Sequence, residues 1–284
     1  MRRCATGLVS AAVDALRQVD EWPAENVAAG VIADSRVVAT HGDSGRRFRW
    51  ASVTKPATAL AVLVAAEEGT VDLDEPVGPP GSTVRHLLAH ASGLPFEGTE
   101  RMARPGTRRI YSNAGFEVLA GFVAERAEMP FAEYLHQAVF DPLGMGATLE
   151  RSPAAGVDGT LDDVLRLGRE LLEPTLVAPE TLDEAITVQF PGLGGVIPGI
   201  GRFDPNDWGL GFELRDRKPG HWTGRQSSER TFGHFGGSGT FLWVDPERRL
   251  ALAVLTDLDF GEWALEAWPR LSDAVIDELA SRIK

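Results

Sequence analysis

The sequence predicts an α/β protein of the α+β type, with an antiparallel sheet built from both chain termini, flanked by helices. Two β-rich runs near the start, "NVAAGVIADSRVVATHGD", have counterparts near the end in "TFLWVDPERRLALAVLTDL". From Val53 to about Pro179 the apolar residues instead follow helical spacing. This order predicts a sheet domain from residues 1–52 and 200–284, an inserted and mainly helical domain from residues 53–199, and a functional site at their junction.

The individual elements follow from local patterns. The polar break inside the first β-rich run predicts a hairpin, and an Asp-Pro turn joins the two final strands before a helix over "EWALEAWPRLSDAVIDELASRI". Five middle segments have helical apolar spacing: "TALAVLVAAEEG", "TVRHLLAHASG", "AGFEVLAGFVAERAE", "FAEYLHQAVF" and "LDDVLRLGRELLE". The Gly/Pro-rich residues 190–209 predict either a boundary linker or a loop that borders a cleft.

Composition excludes several classes of protein. The chain of 284 residues, 43% hydrophobic and 24% charged, is typical of a globular protein with a sizeable core. Its formal charge of -13 repels nucleic acid and anionic membrane surfaces, so we expect neither as a partner. The single cysteine, Cys4, excludes an internal disulfide.

The first 22 residues predict an amphipathic helix. Leu8, Ala12 and Leu16 recur every four residues, and Asp14 interrupts the apolar run that a secretory signal needs. No apolar run of about 18 residues occurs elsewhere. We therefore expect a cytoplasmic protein without membrane insertion; the oligomeric state is not predicted.

A serine and a lysine stand three residues apart in "WASVTKPATALAVLV". Lysine is rare in this chain, occurring only as Lys55, Lys218 and Lys284 among 28 basic residues, so Lys55 is a candidate for chemistry that arginine cannot perform. Pro56 predicts a helix that begins near Ser52, which places Lys55 about 4.5 Å further along the axis and about 60° around it. A lysine made neutral by burial can activate a serine hydroxyl.

Two further stretches contain candidate residues. In "RRIYSNAGFEVLAGF", Tyr111 precedes a helix, where a nearby lysine ammonium favours phenolate and proton relay, and Asn113 offers an amide donor and acceptor. In "RTFGHFGGSGTFLWVDP", glycines in and beside a strand indicate close approach to the backbone, as an oxyanion hole or as a bulge. His86 and His90 lie one helical turn apart without the glutamate of a zinc motif, so we predict neither a metal nor a cofactor.

Together the three stretches, S-V-T-K, Y-S-N and H-F-G in that order, resemble the serine β-lactamase and penicillin-binding-protein superfamily. Further similarity in "VDLDEPVG", "TVRHLLAHASGLP", "FAEYLHQAVFDPLGMGATL" and "DWGLGFEL" extends the resemblance over roughly residues 25–260. It is strongest to class C β-lactamases, D-Ala-D-Ala carboxypeptidases and related esterases, and it implies their β-lactamase/transpeptidase-like fold.

The resemblance implies a role for each matched residue. Ser52 is the nucleophile that forms an acyl-enzyme, Lys55 and Tyr111 share proton transfer, and either of them can be the base. Asn113 orients the lysine or a substrate amide, and the backbone N–H groups of Ser52 and Gly237 form the oxyanion hole. His234 stands where many relatives have lysine, and Phe235 stands where they have a hydroxyl residue.

The departures at His234 and Phe235 determine the predicted substrate. A phenyl ring donates no hydrogen bond, and a histidine with an ordinary pKa is mostly neutral, so a grip on a substrate carboxylate is weakened. We expect a serine hydrolase of uncharged small carboxylic esters, with Trp208 as a candidate substrate wall. Two alternatives remain: an amide hydrolase, such as a β-lactamase, D-Ala-D-Ala carboxypeptidase or D-aminopeptidase, and an inactive binding or scaffold protein of the same fold.

Overall fold

The computed structural model describes residues 13–282. The helices are α1 Thr54–Glu67, α2 Val84–Leu88, α3 Asn113–Ala127, α4 Phe131–Leu135, α5 Leu161–Leu172, α6 Pro179–Ala185 and α7 Glu262–Arg282. The strands are β1 Val27–Ala33, β2 Arg36–Gly42, β3 Phe48–Arg49, β4 Arg109–Ile110, β5 Thr148–Leu149, β6 Val157–Gly159, β7 Gly195–Ile197, β8 Gly201–Phe203, β9 Glu213–Leu214, β10 Phe232–Gly236, β11 Thr240–Asp245 and β12 Leu250–Thr256. Short 3₁₀ segments cover Asp14–Glu21 and Ala51–Val53, and a π turn covers His136–Phe140.

The central sheet has six strands in the order β2-β1-β12-β11-β10-β9, and every neighbouring pair is antiparallel. The first strand pairs with the last one, Val27 opposite Thr256 and Ala33 opposite Leu250. The hairpin between β1 and β2 turns at Asp34 and Ser35, both with positive φ, as tight two-residue hairpin turns require. The predicted sheet from both chain termini is therefore confirmed.

Helices cover both faces of this sheet, because alternate residues of each strand point to opposite sides. On one face, Ile32, Leu242 and Ala253 pack in a cluster with residues of α1 and α5. On the other face, residues of β1, β11 and β12 pack with α7 and with the 3₁₀ segment near the N-terminus. Helix α5 comes from the middle of the chain and lies on the sheet, and the division into two domains stays a prediction.

Helix α1 is buried on all sides, since every residue from Thr54 to Ala65 is buried. An apolar helix of this kind belongs to the interior of a protein rather than to its surface. The five predicted middle helices all form, and the "FAEYLHQAVF" segment ends in the π turn. Because α1 is the helix that follows Ser52, its burial removes the side chain of Lys55 from water.

Two small sheets complete the fold. One joins β3, β6 and β5, and the other joins β4, β7 and β8. The second uses the Gly/Pro-rich segment 190–209, so this segment is a paired hairpin and not a plain linker.

The predicted N-terminal helix lies partly outside the described residues; its remainder forms the 3₁₀ segment that buries Leu16 and Val19. Within residues 13–282 no helix has the length and apolar character needed to cross a membrane.

Candidate active site

Ser52 and Lys55 meet where the 3₁₀ segment Ala51–Val53 passes into α1. Lys55 Nζ lies 3.3 Å from Ser52 Oγ, which confirms the predicted contact between the two side chains. Pro56 lies in the first turn of α1, as predicted, where its missing N–H removes no helical hydrogen bond. Ala51, directly before Ser52, has a φ of 46°, a conformation that is uncommon for residues other than glycine. The serine therefore stands on a sharp, fixed bend.

The position of Lys55 Nζ is defined by two oxygen acceptors. Lys55 Nζ donates to Asn113 Oδ1 at 2.7 Å and to the carbonyl oxygen of Ala154 at 2.9 Å. Burial lowers the pKa of Lys55 well below its usual value, although the Glu117 carboxylate opposes this shift. A neutral amine has two N–H groups, and both are used by these oxygens. The third direction around Nζ is towards the remaining neighbour, Ser52 Oγ.

Tyr111 and Asn113 flank the N-terminus of α3. The cap of this helix is Ser112, whose Oγ accepts from the N–H of Gly115, so Asn113 is free to hold Lys55. Tyr111 Oη donates to Ser52 Oγ at 2.8 Å. The predicted drift of Tyr111 towards phenolate is wrong, because burial raises the pKa of its hydroxyl. Tyr111 is therefore a neutral proton donor beside the serine.

His234 lies on β10 and faces Tyr111. Its Nδ1 donates to the carbonyl oxygen of Phe235 at 2.6 Å, since a carbonyl only accepts, and this leaves the lone pair on Nε2. Nε2 lies 3.4 Å from Tyr111 Oη. Burial, together with a smaller effect of nearby Lys55, lowers the pKa of His234 to about 3. His234 is neutral at pH 7, as the sequence predicts.

Gly237 follows β10 and lines one pocket together with Ser52. The turn that contains Gly237 is attached to the residues before the serine: Ser238 Oγ donates to the carbonyl of Arg49 at 2.7 Å, and Thr240 Oγ1 donates to that of Trp50 at 2.8 Å. A Cβ on Gly236 would lie 2.4 Å from the carbonyl oxygen of Trp50, so only glycine permits this approach. The backbone of the glycine-rich strand is thus brought next to the backbone of Ser52.

Ser52 opens into a pocket of about 240 Å³, here called the inner pocket. Aromatic residues form much of its wall, and they include Trp208, the predicted candidate, and Phe235. The hairpin between β7 and β8 closes one side of it with Ile197, Pro198 and Gly199. Trp50, Trp222 and Trp243 are buried and do not line this pocket. The surroundings of Ser52 are therefore mostly apolar on this side.

A larger cavity of about 730 Å³ lies on the other side of Asn113. Glu117 lines it one helical turn after Asn113 and accepts a short hydrogen bond from Ser152. Ser152 Oγ in turn accepts from the N–H of Ala154 at 3.1 Å, and Ala154 is the residue whose carbonyl holds Lys55. Asn113, which holds Lys55, therefore also lines this cavity, and two carboxylates, Glu97 and Glu117, lie in its wall.

The histidine pair of "HLLAH" is not arranged for metal binding. His86 Nδ1 pairs with Thr83 Oγ1, whereas His90 is buried and its Nδ1 accepts from the N–H of Ser112. Among residues 13–282 no group of three or more His, Cys, Asp or Glu side chains is placed to hold a metal ion.

Sequence reasoning missed four contributors to the site. The Ala154 carbonyl has no side chain to reveal it, and Phe96, Phe260 and Glu213 line the inner pocket from segments without a motif. Glu213 lies directly after "DWGLGF", so its position was covered by the resemblance but its side chain was not singled out.

The comparisons with known proteins agree with this arrangement. The family model described as Beta-lactamase matches residues 18–275. A β-lactamase from Mycobacterium bovis with a known crystal structure is 54% identical, covers 93% of this chain and 98% of its own, and superposes with a TM-score of 0.92.

More distant relatives carry other names. Esterase EstB from Burkholderia gladioli is 25% identical over 73% of this chain and 76% of its own length. Penicillin-binding protein 4* from Bacillus subtilis is 30% identical, but the match spans 36% of this chain and only 30% of that protein. Because the family model extends from residue 18 to residue 275 and the three motifs meet around one serine, the chain belongs to the Beta-lactamase family.

Proposed function

We propose that the protein is a serine hydrolase that cleaves small carboxylic esters through an acyl-enzyme on Ser52. The observation that carries the proposal is the environment of Lys55: its buried Nζ lies 3.3 Å from Ser52 Oγ, and its two other oxygen partners carry no charge that would hold it as an ammonium. An activated serine beside a desolvated base is the arrangement that nucleophilic catalysis requires.

The proposed reaction begins when Lys55 Nζ accepts the Ser52 proton as Oγ forms a bond to the ester carbonyl carbon. The backbone N–H groups of Ser52 and Gly237 receive the negative oxygen of the tetrahedral intermediate. The bond to the alcohol oxygen then breaks, and that oxygen takes a proton from Tyr111, which recovers one from Lys55. Water attacks the acyl-enzyme by the same steps, giving the carboxylic acid and free Ser52.

The inner pocket supports an uncharged group next to the scissile bond. His234 is neutral and Phe235 has no hydrogen-bond donor, so neither provides a fixed positive charge for a carboxylate. An apolar wall stabilises a hydrocarbon group by burying it, at about 25 cal/mol per Å² of apolar surface. This agrees with the name of the EstB relative, an esterase.

A second candidate is β-lactam hydrolysis with the same residues. The similarity to the Mycobacterium bovis protein, named a β-lactamase and 54% identical, favours it. A kcat/KM for a cephalosporin far above the value for simple esters would select this candidate over the esterase.

The test is hydrolysis of p-nitrophenyl butyrate by the wild type, by Ser52→Ala and by Ser281→Ala, a control at an exposed serine near the end of α7. We expect turnover by the wild type and the control only, and labelling of Ser52 by a fluorophosphonate, detected by peptide mass spectrometry. Equal turnover by Ser52→Ala would contradict the proposed nucleophile. An absence of turnover by all three proteins would favour the amide hydrolase or the scaffold.

A further inference from the structure

A second groove, of about 420 Å³, lies beside the inner pocket. We call it the arginine groove, because its wall contains Arg108, Arg109 and Arg202 and no carboxylate. Such a lining is unusual in a chain with a formal charge of -13. The positive wall is therefore a local feature that the overall composition does not predict.

Strand register places the basic side chains on the outer face of the sheet formed by β4, β7 and β8. Val196 is paired with Ile110 on one side and with Arg202 on the other, so these three residues form a row across the sheet. Arg108, directly before β4, is exposed, whereas Arg109 is buried. Arg108 and Arg202, which are both exposed, therefore border the same groove.

Arg108 and Arg202 are available to a ligand, whereas Arg109 is not. Arg109 is buried and donates to backbone carbonyls, including those of Ala89 at 2.5 Å and Gln189 at 2.7 Å, so its role is structural. Arg108 and Arg202 have no carboxylate partner within 4.0 Å among residues 13–282, and both are exposed. Exposed arginines without internal partners keep their planar donor fork for an external anion.

The arginine groove also has an apolar component. Phe96, Met102 and Val196 are 48%, 64% and 51% exposed, and they are three of the five large hydrophobic side chains most exposed in the described chain. All three line this groove. A wall that combines apolar and cationic side chains suits a ligand with an apolar body and an anionic end.

The groove is continuous with the inner pocket. Phe96, Tyr111 and Pro198 line both. Since Tyr111 Oη lies 2.8 Å from Ser52 Oγ, a substrate attached to Ser52 can extend past Tyr111 into the groove. The cavity on the opposite side, which contains Glu97 and Glu117, does not provide an equally positive wall.

From these observations we propose that the arginine groove binds the carboxylate end of an amphiphilic ester whose scissile bond lies at Ser52. This proposal rests on the proposed ester hydrolase function and deepens it. The group in the inner pocket stays uncharged, and the charge is recognised outside it, by Arg108 and Arg202. Plain esters remain substrates but lack this contact.

The test uses two matched pairs of esters. In the first pair, p-nitrophenyl hexanoate is compared with the mono-p-nitrophenyl ester of adipic acid, which carries the carboxylate on the acyl arm. In the second, methyl 4-butanoyloxybenzoate is compared with 4-butanoyloxybenzoate, which carries it on the alcohol arm. The readout is the ratio of kcat/KM for the anionic ester to that for the neutral ester, at low ionic strength.

We expect the wild type to prefer the anionic ester in at least one pair. In Arg108→Gln/Arg202→Gln that preference falls by roughly 1.5- to 5-fold per arginine, the range for exposed ion pairs. High salt should reduce the wild-type preference as well. The control Arg36→Gln, on strand β2 at the opposite edge of the central sheet, should keep the wild-type ratio. Thermal melts verify that all variants fold.

The outcomes separate the two proposals. Turnover of neutral esters without any change of ratio in the double variant, in either pair, would overturn the carboxylate site and leave the ester hydrolase intact. If the wild type hydrolyses none of the four esters, the hydrolase proposal itself fails, and the groove proposal fails with it.

Discussion

Lys55 is held by a neutral partner: its Nζ donates to Asn113 Oδ1 at 2.7 Å, between the first turns of α1 and α3. A carboxylate at this place would favour the charged ammonium, whereas an amide oxygen orients the amine without adding an opposite charge. Burial therefore determines the direction of the Lys55 pKa shift, which is downward. The proposed role of Lys55 as the base therefore depends on Asn113, which accepts a hydrogen bond from the amine but carries no negative charge.

Substituting Asn113→Asp should disable the base without changing its position. A carboxylate at 2.7 Å from Lys55 Nζ raises the lysine pKa by about 1–3 units. Activity requires the neutral amine and is lost as the pH falls below the lysine pKa, so the acidic limb of the kcat/KM profile should move to higher pH. Asn113→Ala, which adds no charge, should lower the rate without this displacement. If the acidic limb of the pH profile of kcat/KM lies at the same pH in Asn113→Asp and Asn113→Ala, Lys55 is not the base.

His234→Lys should change the substrate preference. The variant places an ammonium where the neutral imidazole faces Tyr111, and an anionic β-lactam gains an attractive charge that a neutral ester does not. We expect the ratio of kcat/KM for a cephalosporin to that for p-nitrophenyl butyrate to rise by about tenfold, which corresponds to about 1.4 kcal/mol. His234→Gln, which remains neutral, is the control. An unchanged ratio in the lysine variant would mean that position 234 does not contribute to charge recognition.

Much of the site could be predicted because its chemistry depends on residue types that the chain uses sparingly. Lys55 and Tyr111 stood out for that reason, and Ser52 followed from helical spacing to Lys55. The pKa direction of Tyr111 could not be predicted, because it depends on burial by segments distant in sequence, such as the one that contains Trp208. The carbonyl of Ala154 and the short strands β7 and β8 had no local signal either, since backbone acceptors and three-residue pairings depend on tertiary context.

The sheet from both termini was predictable for a different reason. Strands β1, β11 and β12 are long enough to have clear β-rich composition, and their pairing brings the ends of the chain together. The role of α5 in covering that sheet could not be predicted, because an amphipathic pattern identifies an apolar face but not its partner.

A buried ionic network beneath the inner pocket should control stability. Glu213 accepts from His221 at 2.8 Å, from Trp222 at 2.8 Å and from Lys218 at 3.4 Å, and it is 1% exposed. Burial raises the pKa of Glu213, but His221 and Lys218 outweigh this effect and lower it to about 2. Glu213→Leu leaves the Lys218 charge buried and unpaired, so the free energy of unfolding should fall by about 3–5 kcal/mol in urea titrations.

The control for this network is the double variant Glu213→Leu/Lys218→Met. Removing both charges removes the unpaired one, so we expect it to recover much of the lost stability. If the loss in free energy of unfolding of the double variant equals the sum of the losses of the two single variants, Glu213 and Lys218 are not coupled.

Stability should also fall as the solution becomes acidic. Burial lowers the pKa values of His90 and His234, so these side chains stay neutral in the fold while the unfolded chain takes up protons below about pH 6.5. The stabilisation is complete above that pH and is lost as the pH falls, by up to about 1.4 kcal/mol per pH unit for each histidine. Urea titrations between pH 7.5 and 5 measure the slope. His234→Gln should have a smaller slope, and an equal slope would contradict the assignment for His234.

The tip of the hairpin between β7 and β8 should set the size of the group that the inner pocket accepts. Gly199 has a φ of 76°, and a Cβ on it would lie 2.6 Å from Phe260 Cε1, so the hairpin touches the phenyl ring and closes the pocket there. Phe260→Ala removes that wall, and we expect kcat/KM for p-nitrophenyl octanoate to rise relative to the butyrate by about three- to tenfold. Val37→Ala, at an exposed position on β2, is the control. Because the half-buried Phe260 also packs against Phe235 and Trp268, the variant should lose about 1–3 kcal/mol of stability, and rates must be measured well below its Tm. An unchanged chain-length preference in the folded variant would place the acyl group elsewhere, in the larger cavity beside Glu117.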